Sequence, residues 1–448
     1  MRLWKSKIFK LVLVIFLLSF LIEGCMSLKN KEVSNHINSK QNTTKTLTTK
    51  QWLEDIDYLN ENLPKNHINL YYKTSKNDFQ KQINELKTEI PKLNDMQIKF
   101  KLKQIVASVG DAHTSMNLDN PEKYYCVGTW WFGNDLRVVS INKEYKDILG
   151  MNLIAINNIP IDEILNKINT LISHENSQWL KANNINYLPN PEVLKFFKVT
   201  KNDEAEFTFQ SDDKKIIKIK ICPEKITKDN IISVRDSMPK KPISFQVNSI
   251  NYYENLYWYK YIPEDKILYF QYNLCYDFNT ARVAGFKDYE SYPDFREFSN
   301  GLIKTINENK IDKFIIDMSH NQGGNSILLD DLITRLSERT NLAETSKVFV
   351  IIGRNTFSSG VVNSFHLKVC MSAKLFGEPT GGNANSYGEI STLTLPNSKV
   401  TISYSKKFYF LSDNYKEGLI PDIFIEESFK NYQNGIDDVY EAIKNYKN

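Results

Sequence analysis

The sequence predicts an α/β chain whose C-terminal half carries a mainly parallel sheet, preceded by a small helical unit and a β-rich module. Three observations predict this. From residue 243 onward, short apolar runs alternate with segments of helical apolar spacing, the pattern of parallel strands joined by helices. Between residues 51 and 109 only the helical spacing recurs, and between residues 126 and 225 strand-like runs are broken by Gly-Asn, Asn-Asn and Asp-Asp pairs. A chain of 448 residues also exceeds what one core supports, which fits a division into units.

The N-terminus differs from the rest. Arg2, Lys5, Lys7 and Lys10 precede an apolar run over residues 11–22, followed by Glu23-Gly24-Cys25. A charged region before a run too short to span a bilayer comfortably reads as an export signal. Its end resembles the bacterial lipoprotein signal, in which the cysteine is lipidated and becomes the mature N-terminus. Cys25 is then the lipid anchor of residues 1–25, and the bulk of the chain is expected on the extracytoplasmic face of the cell membrane. A plain signal anchor is the alternative. Residues 26–50 are polar, rich in Lys, Asn, Ser and Thr, and read as a flexible tether.

The helical unit, residues 51–115, rests on Trp52, Ile56, Leu59 and Leu63, then Phe79, Ile83, Leu86 and Ile90, then Ile98, Leu102, Ile105 and Val106. Its last helix runs into Gly110-Asp111-Ala112-His113-Thr114, with Gly110 as a helix stop. The β-rich module, residues 126–225, includes one helical stretch over residues 161–172. In the third unit, residues 243–448, strands are expected at Ile267–Tyr272, 314–318, Val348–Ile352, near Leu375 and over 399–405. Helices are expected over 295–306, 326–336 and 436–446.

Composition excludes some function classes. A formal charge of +4 with scattered lysines argues against nucleic acid as a partner. Cys126, Cys222, Cys275 and Cys370 form no CxxC pair, so no zinc or redox motif is present, and the last three read as buried free thiols. No P-loop, dinucleotide fingerprint or HExxH occurs, and no cofactor or metal is expected.

The stretch with most chemical content is residues 347–373. The strand Val348–Ile352 enters the turn Gly353-Arg354-Asn355-Thr356 and leaves through Phe357-Ser358-Ser359-Gly360 into a helix. Such a corner presents a hydroxyl beside unpaired helix amides, as an acyl-transfer nucleophile and its oxyanion site require. A serine that only caps the helix is the alternative. One βα unit earlier, Gly323-Gly324 follows Asp317 at another strand end, where bare amides can approach a ligand or simply make a tight turn. Of the six histidines, His366 lies roughly 12 Å along the helix from Ser358 at 1.5 Å per residue. His36 is in the tether, and His67 and His174 stand in polar, loop-like contexts. His113 and His320 remain as candidate bases.

Taken in order, six motifs resemble the C-terminal-processing, or tail-specific, serine peptidase family, which includes the tricorn protease core. They are Gly110-Asp111-Ala112-His113-Thr114; the PDZ-like run from Gly150 to Pro160; Ile315-Ile316-Asp317 through Gly323-Gly324-Asn325-Ser326; Thr356-Phe357-Ser358-Ser359; Gly377-Glu378-Pro379-Thr380-Gly381-Gly382; and Gly418-Leu419-Ile420-Pro421-Asp422. The match covers residues 52–448. It implies a crotonase/ClpP-like catalytic domain, a PDZ-like module and hydrolysis of polypeptide substrates. Carried over by position, it implies Ser358 as nucleophile and the amides of Ser359 and of Gly323 or Gly324 as the oxyanion site. The family's lysine base falls on Asn383, which cannot take a proton; Lys399, Lys406 and Lys407 are the alternatives for a relocated lysine base. The tricorn-like branch uses a histidine, which implies His113 as base and Glu417 as its orienting group. A non-catalytic binding lipoprotein on the same fold is the chief alternative, and an esterase or acyl-transfer enzyme the second.

Overall fold

The computed structural model describes residues 46–227, 229–245, 252–339 and 347–447. The signal, Cys25 and most of the tether lie outside the described residues. Thr48 caps the first helix, α1 (Thr49–Asn66), through a reciprocal capping box with Gln51, so helix begins just inside the expected tether. Helices α2 (Lys76–Glu89) and α3 (Asp95–Ala107) are opened by Ser75 and Asn94. Their buried faces are the ones the spacing predicts: Trp52, Ile56, Leu59 and Leu63; Phe79, Ile83 and Leu86; Ile98, Leu102, Ile105 and Val106. This unit does not close on itself. Leu393, Leu395, Ile402 and Tyr404, from far along the chain, complete its core.

After the short strand β1 (Ser115–Met116) comes the β-rich module. Strands β2 (Val127–Phe132), β3 (Asp135–Asn142), β4 (Asn152–Ile156), β6 (Ala205–Gln210) and β7 (Ile216–Ile221) lie side by side in that order. β5 (Ile159–Pro160) pairs with β4, and β8 (Ile231–Ser233) pairs with β3. Asn157 and Asn158 both take positive φ, 50° and 61°, in the β4–β5 turn, where asparagine substitutes for glycine. The expected helix is α4 (Ile161–Asn169), which buries Ile161, Ile164, Leu165 and Ile168. Two helices without a clear sequence signal follow, α5 (Ser177–Tyr187) and α6 (Pro191–Phe196).

The third unit is built on six strands in the order β16 (Ile423–Phe424), β13 (Lys374–Gly377), β12 (Val348–Ile352), β11 (Lys313–Asp317), β10 (Ile267–Tyr272) and β9 (Tyr257–Ile262). All pair in parallel except β9 with β10. Every residue of β10 and β12 is buried, because both faces are covered. Leu268, Phe270, Ile316 and Val350 pack toward α8 (Phe295–Glu308) and α9 (Ile327–Arg339). The alternate residues Tyr269, Ile315, Phe349 and Ile351 pack toward α12 (Asp438–Asn445). Helices α7 (Phe278–Val283) and α10 (Ser359–Cys370) complete the unit, while Phe429 and Tyr432 of α11 (Phe429–Gln433) pack against Phe132 of β2. The mainly parallel α/β sheet expected from the sequence is the one found.

A long antiparallel hairpin, β14 (Ser386–Thr394) and β15 (Thr401–Tyr409), leaves this sheet and pairs with β1 as a separate three-stranded sheet. It supplies the residues that complete the helical core. The four cysteines beyond residue 45 are free; Cys275 is buried and Cys370 half-buried, but Cys222 is exposed, contrary to expectation. It lies just past the end of β7, an edge strand whose residues alternate between exposed and covered. Among the described residues no helix is long and apolar enough to cross a membrane.

Candidate active site

The corner after β12 is held by its own side chains. Thr356 Oγ1 donates to Met318 O at 2.8 Å and accepts from Gly353 N at 3.0 Å, while Phe357 N donates to Asn321 O at 2.9 Å. Ser358 then adopts φ 51° and ψ −126°, a region costly for any residue with a Cβ. Its side chain makes no cap hydrogen bond, and Ser359 Oγ donates to Gly324 O at 2.6 Å. The capping alternative therefore does not describe Ser358. Its hydroxyl instead meets His113, with Nε2 and Oγ 3.0 Å apart.

The Gly323-Gly324 turn lies against the same corner. A Cβ on Gly323, at φ 104°, would stand 2.7 Å from Ser358 Cβ and 3.0 Å from Ser359 N; one on Gly324 would meet Cys275 O at 2.5 Å. Both positions exclude a side chain. Gly323 N donates to Asn321 Oδ1 at 2.9 Å. Among the described residues the amides of Gly324 and Ser359 have no such partner.

His113 arrives from the segment between α3 and β1. Its ring stacks on Phe357, centroids 4.6 Å apart, and Phe357 stacks on Trp179 at 4.2 Å. Burial pushes the imidazole below the ordinary histidine value, an effect that the charge of Asp111 and the Tyr387 backbone oppose without cancelling. Nδ1 stands 3.9 Å from Asp111 Oδ1. Although the Tyr387 backbone approaches the ring, Nδ1 has no well-formed hydrogen bond among the described residues.

Beneath His113, Asp111 is fully buried. It accepts from His113 N at 2.9 Å, Thr114 Oγ1 at 2.5 Å, Ser405 Oγ at 2.6 Å and His67 Nε2 at 3.1 Å. Asn69 N donates to His67 Nδ1 at 2.9 Å, which puts the His67 ring proton on Nε2. Burial alone would raise the Asp111 carboxyl, yet the hydrogen bond from His67, the charge of His113 and the hydroxyls of Ser405 and Thr114 bring it below its usual value.

A second buried carboxylate, Glu175, comes from the connection between α4 and α5. Its Oε2 accepts from Asn383 N at 3.1 Å and its Oε1 has no partner among the described residues. Burial, then the charge of Asp111, push it up to about 8 against the opposing effects of the Asn383 backbone, Lys73 and the Ala112 backbone. The neighbouring Asn176 caps α5 and donates from Nδ2 to Asn383 Oδ1 at 2.8 Å. The expected lysine position, Asn383, thus holds the Glu175-Asn176 segment. One ligand-capable atom each from Asp111, His113 and Glu175 lie within 4.8 Å of one another. The set does not fit a cation well, since four donors already occupy the Asp111 oxygens.

The structure brings together Ser358, Ser359, Gly323, Gly324 and His113, and leaves the other sequence candidates apart. The Glu417 side chain is exposed and its backbone carbonyl accepts from Ala384 N at 3.0 Å; among the described residues no hydrogen bond or ion pair joins it to His113. His320 is exposed on the turn after β11, and His366 Nδ1 bonds Asp330 Oδ1 at 2.7 Å. Lys399 Nζ donates to Pro396 O and Lys407 lies 3.8 Å from Glu389. His67, read from sequence as a loop residue, is instead a buried partner of Asp111. A lone carboxylate between His174 and Asn176 carries no spacing signal, and so Glu175 could not be found from sequence.

No protein-family model matches the chain, and no curated protein matches it in sequence. Solved structures do match in fold. Mature CPAF complexed with lactacystin is 12% identical, with 88% of this chain aligned to 98% of that chain and a TM-score of 0.62. Mature CPAF alone is 13% identical, over 88% of this chain and 96% of that one, with a TM-score of 0.62. The tricorn protease is 14% identical over 88% of this chain and 36% of its own, with a TM-score of 0.41. The fold is thus similar to that of mature CPAF over 88% of this chain.

Proposed function

We propose that the chain is a serine peptidase of the C-terminal-processing type that hydrolyses peptide bonds in polypeptide substrates. The observation that carries this is the 3.0 Å contact between His113 Nε2 and the Oγ of a Ser358 held in a strained corner. With the ring proton on Nδ1, Nε2 accepts the hydroxyl proton as Oγ attacks the substrate carbonyl, and the imidazolium then returns that proton to the leaving amine. Water repeats the sequence on the acyl-enzyme. The amides of Ser359 and Gly324 are free to receive the oxyanion, while the bare Cα of Gly323 leaves room for it. Since a fold alone does not fix a function, the reading rests on this geometry, with the likeness to CPAF as support.

The β-rich module is read as PDZ-like, holding an extended segment by strand addition. Residues 1–25 are read as a lipoprotein signal that leaves the chain tethered through Cys25 on the extracytoplasmic face. A metabolic lipid label that survives Cys25→Ser would overturn the tether.

For the chemistry, the chain lacking residues 1–25 is incubated with a fluorophosphonate and the adduct mapped. The adduct is expected on Ser358, absent in Ser358→Ala, and formed roughly 10²–10⁴-fold more slowly in His113→Ala, the range general base catalysis supplies. Lactacystin, found bound to mature CPAF, serves as a competing probe. Tight peptide binding without labelling would instead make the chain a binding protein.

A further inference from the structure

The Ser358–His113 pair needs a third group, because an imidazole accepts at Nε2 only while its proton sits on Nδ1. We infer that Glu175 is that positioning residue: its Oε1 takes the Nδ1–H of His113, directly or through one water, and so keeps the Nε2 lone pair on Ser358. The inference rests on the serine-peptidase reading above and departs from what the family resemblance implies, which points to Glu417.

Two buried polar atoms lack well-formed hydrogen bonds at the same place, and they are a donor and an acceptor: His113 Nδ1, which the Tyr387 backbone only approaches, and Glu175 Oε1, which the Ala112 backbone only approaches. Leaving both unsatisfied costs the full desolvation of each, so a nearby donor and acceptor are expected to find one another. A ring nitrogen of His113 and a carboxylate oxygen of Glu175 lie within 4.8 Å of one another, a separation that one water can span with two hydrogen bonds of about 2.8 Å. Glu175 is also built to stay there. Asn383 N fixes its Oε2, Asn176 pins the next residue to the same loop, and Lys73 Nζ donates to its backbone carbonyl at 3.0 Å.

Asp111 is the rival carboxylate, but its Oδ2 already accepts three hydrogens, and its Oδ1, which accepts from the His113 backbone, stands 3.9 Å from Nδ1, beyond hydrogen-bond distance. It holds the segment that carries the base, whereas Glu175 has an oxygen to spare. No proton passes to Glu175 during attack. The Ser358 proton moves to Nε2, the Nδ1 proton stays on the ring, and the carboxylate balances the imidazolium.

The protonation state of Glu175 then decides which tautomer His113 adopts. As a neutral acid, its O–H donates to Nδ1 and forces the ring proton to Nε2, where it donates to Ser358 and cannot accept. As a carboxylate, it restores the accepting tautomer. The titratable groups facing the pair are Asp111 and His67, Lys73 and Tyr72, Tyr387 from β14 and His174. Asp111 disfavours ionisation of Glu175 and Lys73 favours it.

The test uses the rate of fluorophosphonate modification at saturating reagent (kinact) and the half-saturating concentration (KI), from pH 5 to 9.5. For the wild type kinact should rise as Glu175 ionises near pH 8. Glu175→Gln should lower kinact roughly 10²-fold at high pH with KI unchanged, and should abolish that rise, since a side-chain amide can present the wrong partner to Nδ1. Thermal unfolding checks that the variant is folded. Independently of reactivity, the wild-type His113 ring proton should appear at Nδ1 above pH 8 in a nitrogen-correlated NMR spectrum and move on Glu175→Gln. A Glu175→Gln kinact within about twofold of wild type at every pH would overturn the inference, as would the full loss appearing in Glu417→Gln instead. A wild type that is never labelled sinks the peptidase reading, and the ring-proton measurement still judges the contact.

Discussion

Ser115 faces Ser403 in the antiparallel pairing of β1 with β15, and this register is what carries His113, two residues earlier, to the nucleophile. The same hairpin fastens the segment at two further points: Ser405 Oγ donates to Asp111 and Ser405 N to Thr114 Oγ1, at 2.6 and 3.3 Å. Ser405→Ala removes one donor from a buried carboxylate. It should cost about 1–3 kcal/mol in denaturant unfolding and slow labelling of Ser358 several-fold, without changing the reagent concentration at half-saturation.

Ser358 stores backbone strain. A residue with a Cβ at such angles costs on the order of 1–3 kcal/mol, which glycine avoids while giving back part of the gain through a freer unfolded chain. Ser358→Gly and Ser358→Ala should both be inactive. The glycine variant should nevertheless be more stable than the alanine variant by about 1 kcal/mol, as read by urea midpoints at constant slope.

Two glycines with positive φ separate steric from conformational cost. At Gly323 an added Cβ meets Ser358 and Ser359, whereas at Gly285, φ 71°, it meets nothing within 4 Å. Gly285→Ala should cost about 1 kcal/mol of stability and leave labelling intact. Gly323→Ala should abolish labelling, because the corner itself must shift.

The pH dependence separates the two buried acids and bases. Burial holds His113 below the ordinary value of about 6.5, so in Glu175→Gln, whose own limb is gone, the remaining acid limb of labelling should fall below pH 6.5. Glu175 is raised to about 8 in the fold, against roughly 4.3 when unfolded. Between those values the native state binds the extra proton, so its contribution to stability is present at acid pH and lost as pH rises. Wild type should therefore lose stability relative to Glu175→Gln by on the order of a few kcal/mol between pH 5 and 8.5, measured by urea unfolding. A difference that grew in the opposite direction would contradict the raised Glu175 value.

Much of this architecture is legible in the chain because its signals are local. The buried strand Val348–Ile352 is an unbroken apolar run, and the helical unit writes its inner face at regular spacing. The corner at Ser358 and the glycines at 323 and 324 are likewise short motifs. What sequence hid is non-local. Glu175 has no periodic or motif context, and His67 looks like any loop histidine until α1 and the segment before β1 meet around Asp111. Cys222 reads as a core residue from its apolar neighbours, but alternation along an edge strand exposes it.

The base and the nucleophile are separated by 245 positions, and the hairpin that joins them also completes the core of α1 to α3. Neither half of the chain can therefore hold the pair by itself. A ribosome emitting this polypeptide releases His113 long before Ser358, and the final helical core closes only after β15 has emerged. Assembly thus acts as a safety catch: the hydroxyl meets its imidazole only in a chain whose early helices and late hairpin have already found each other.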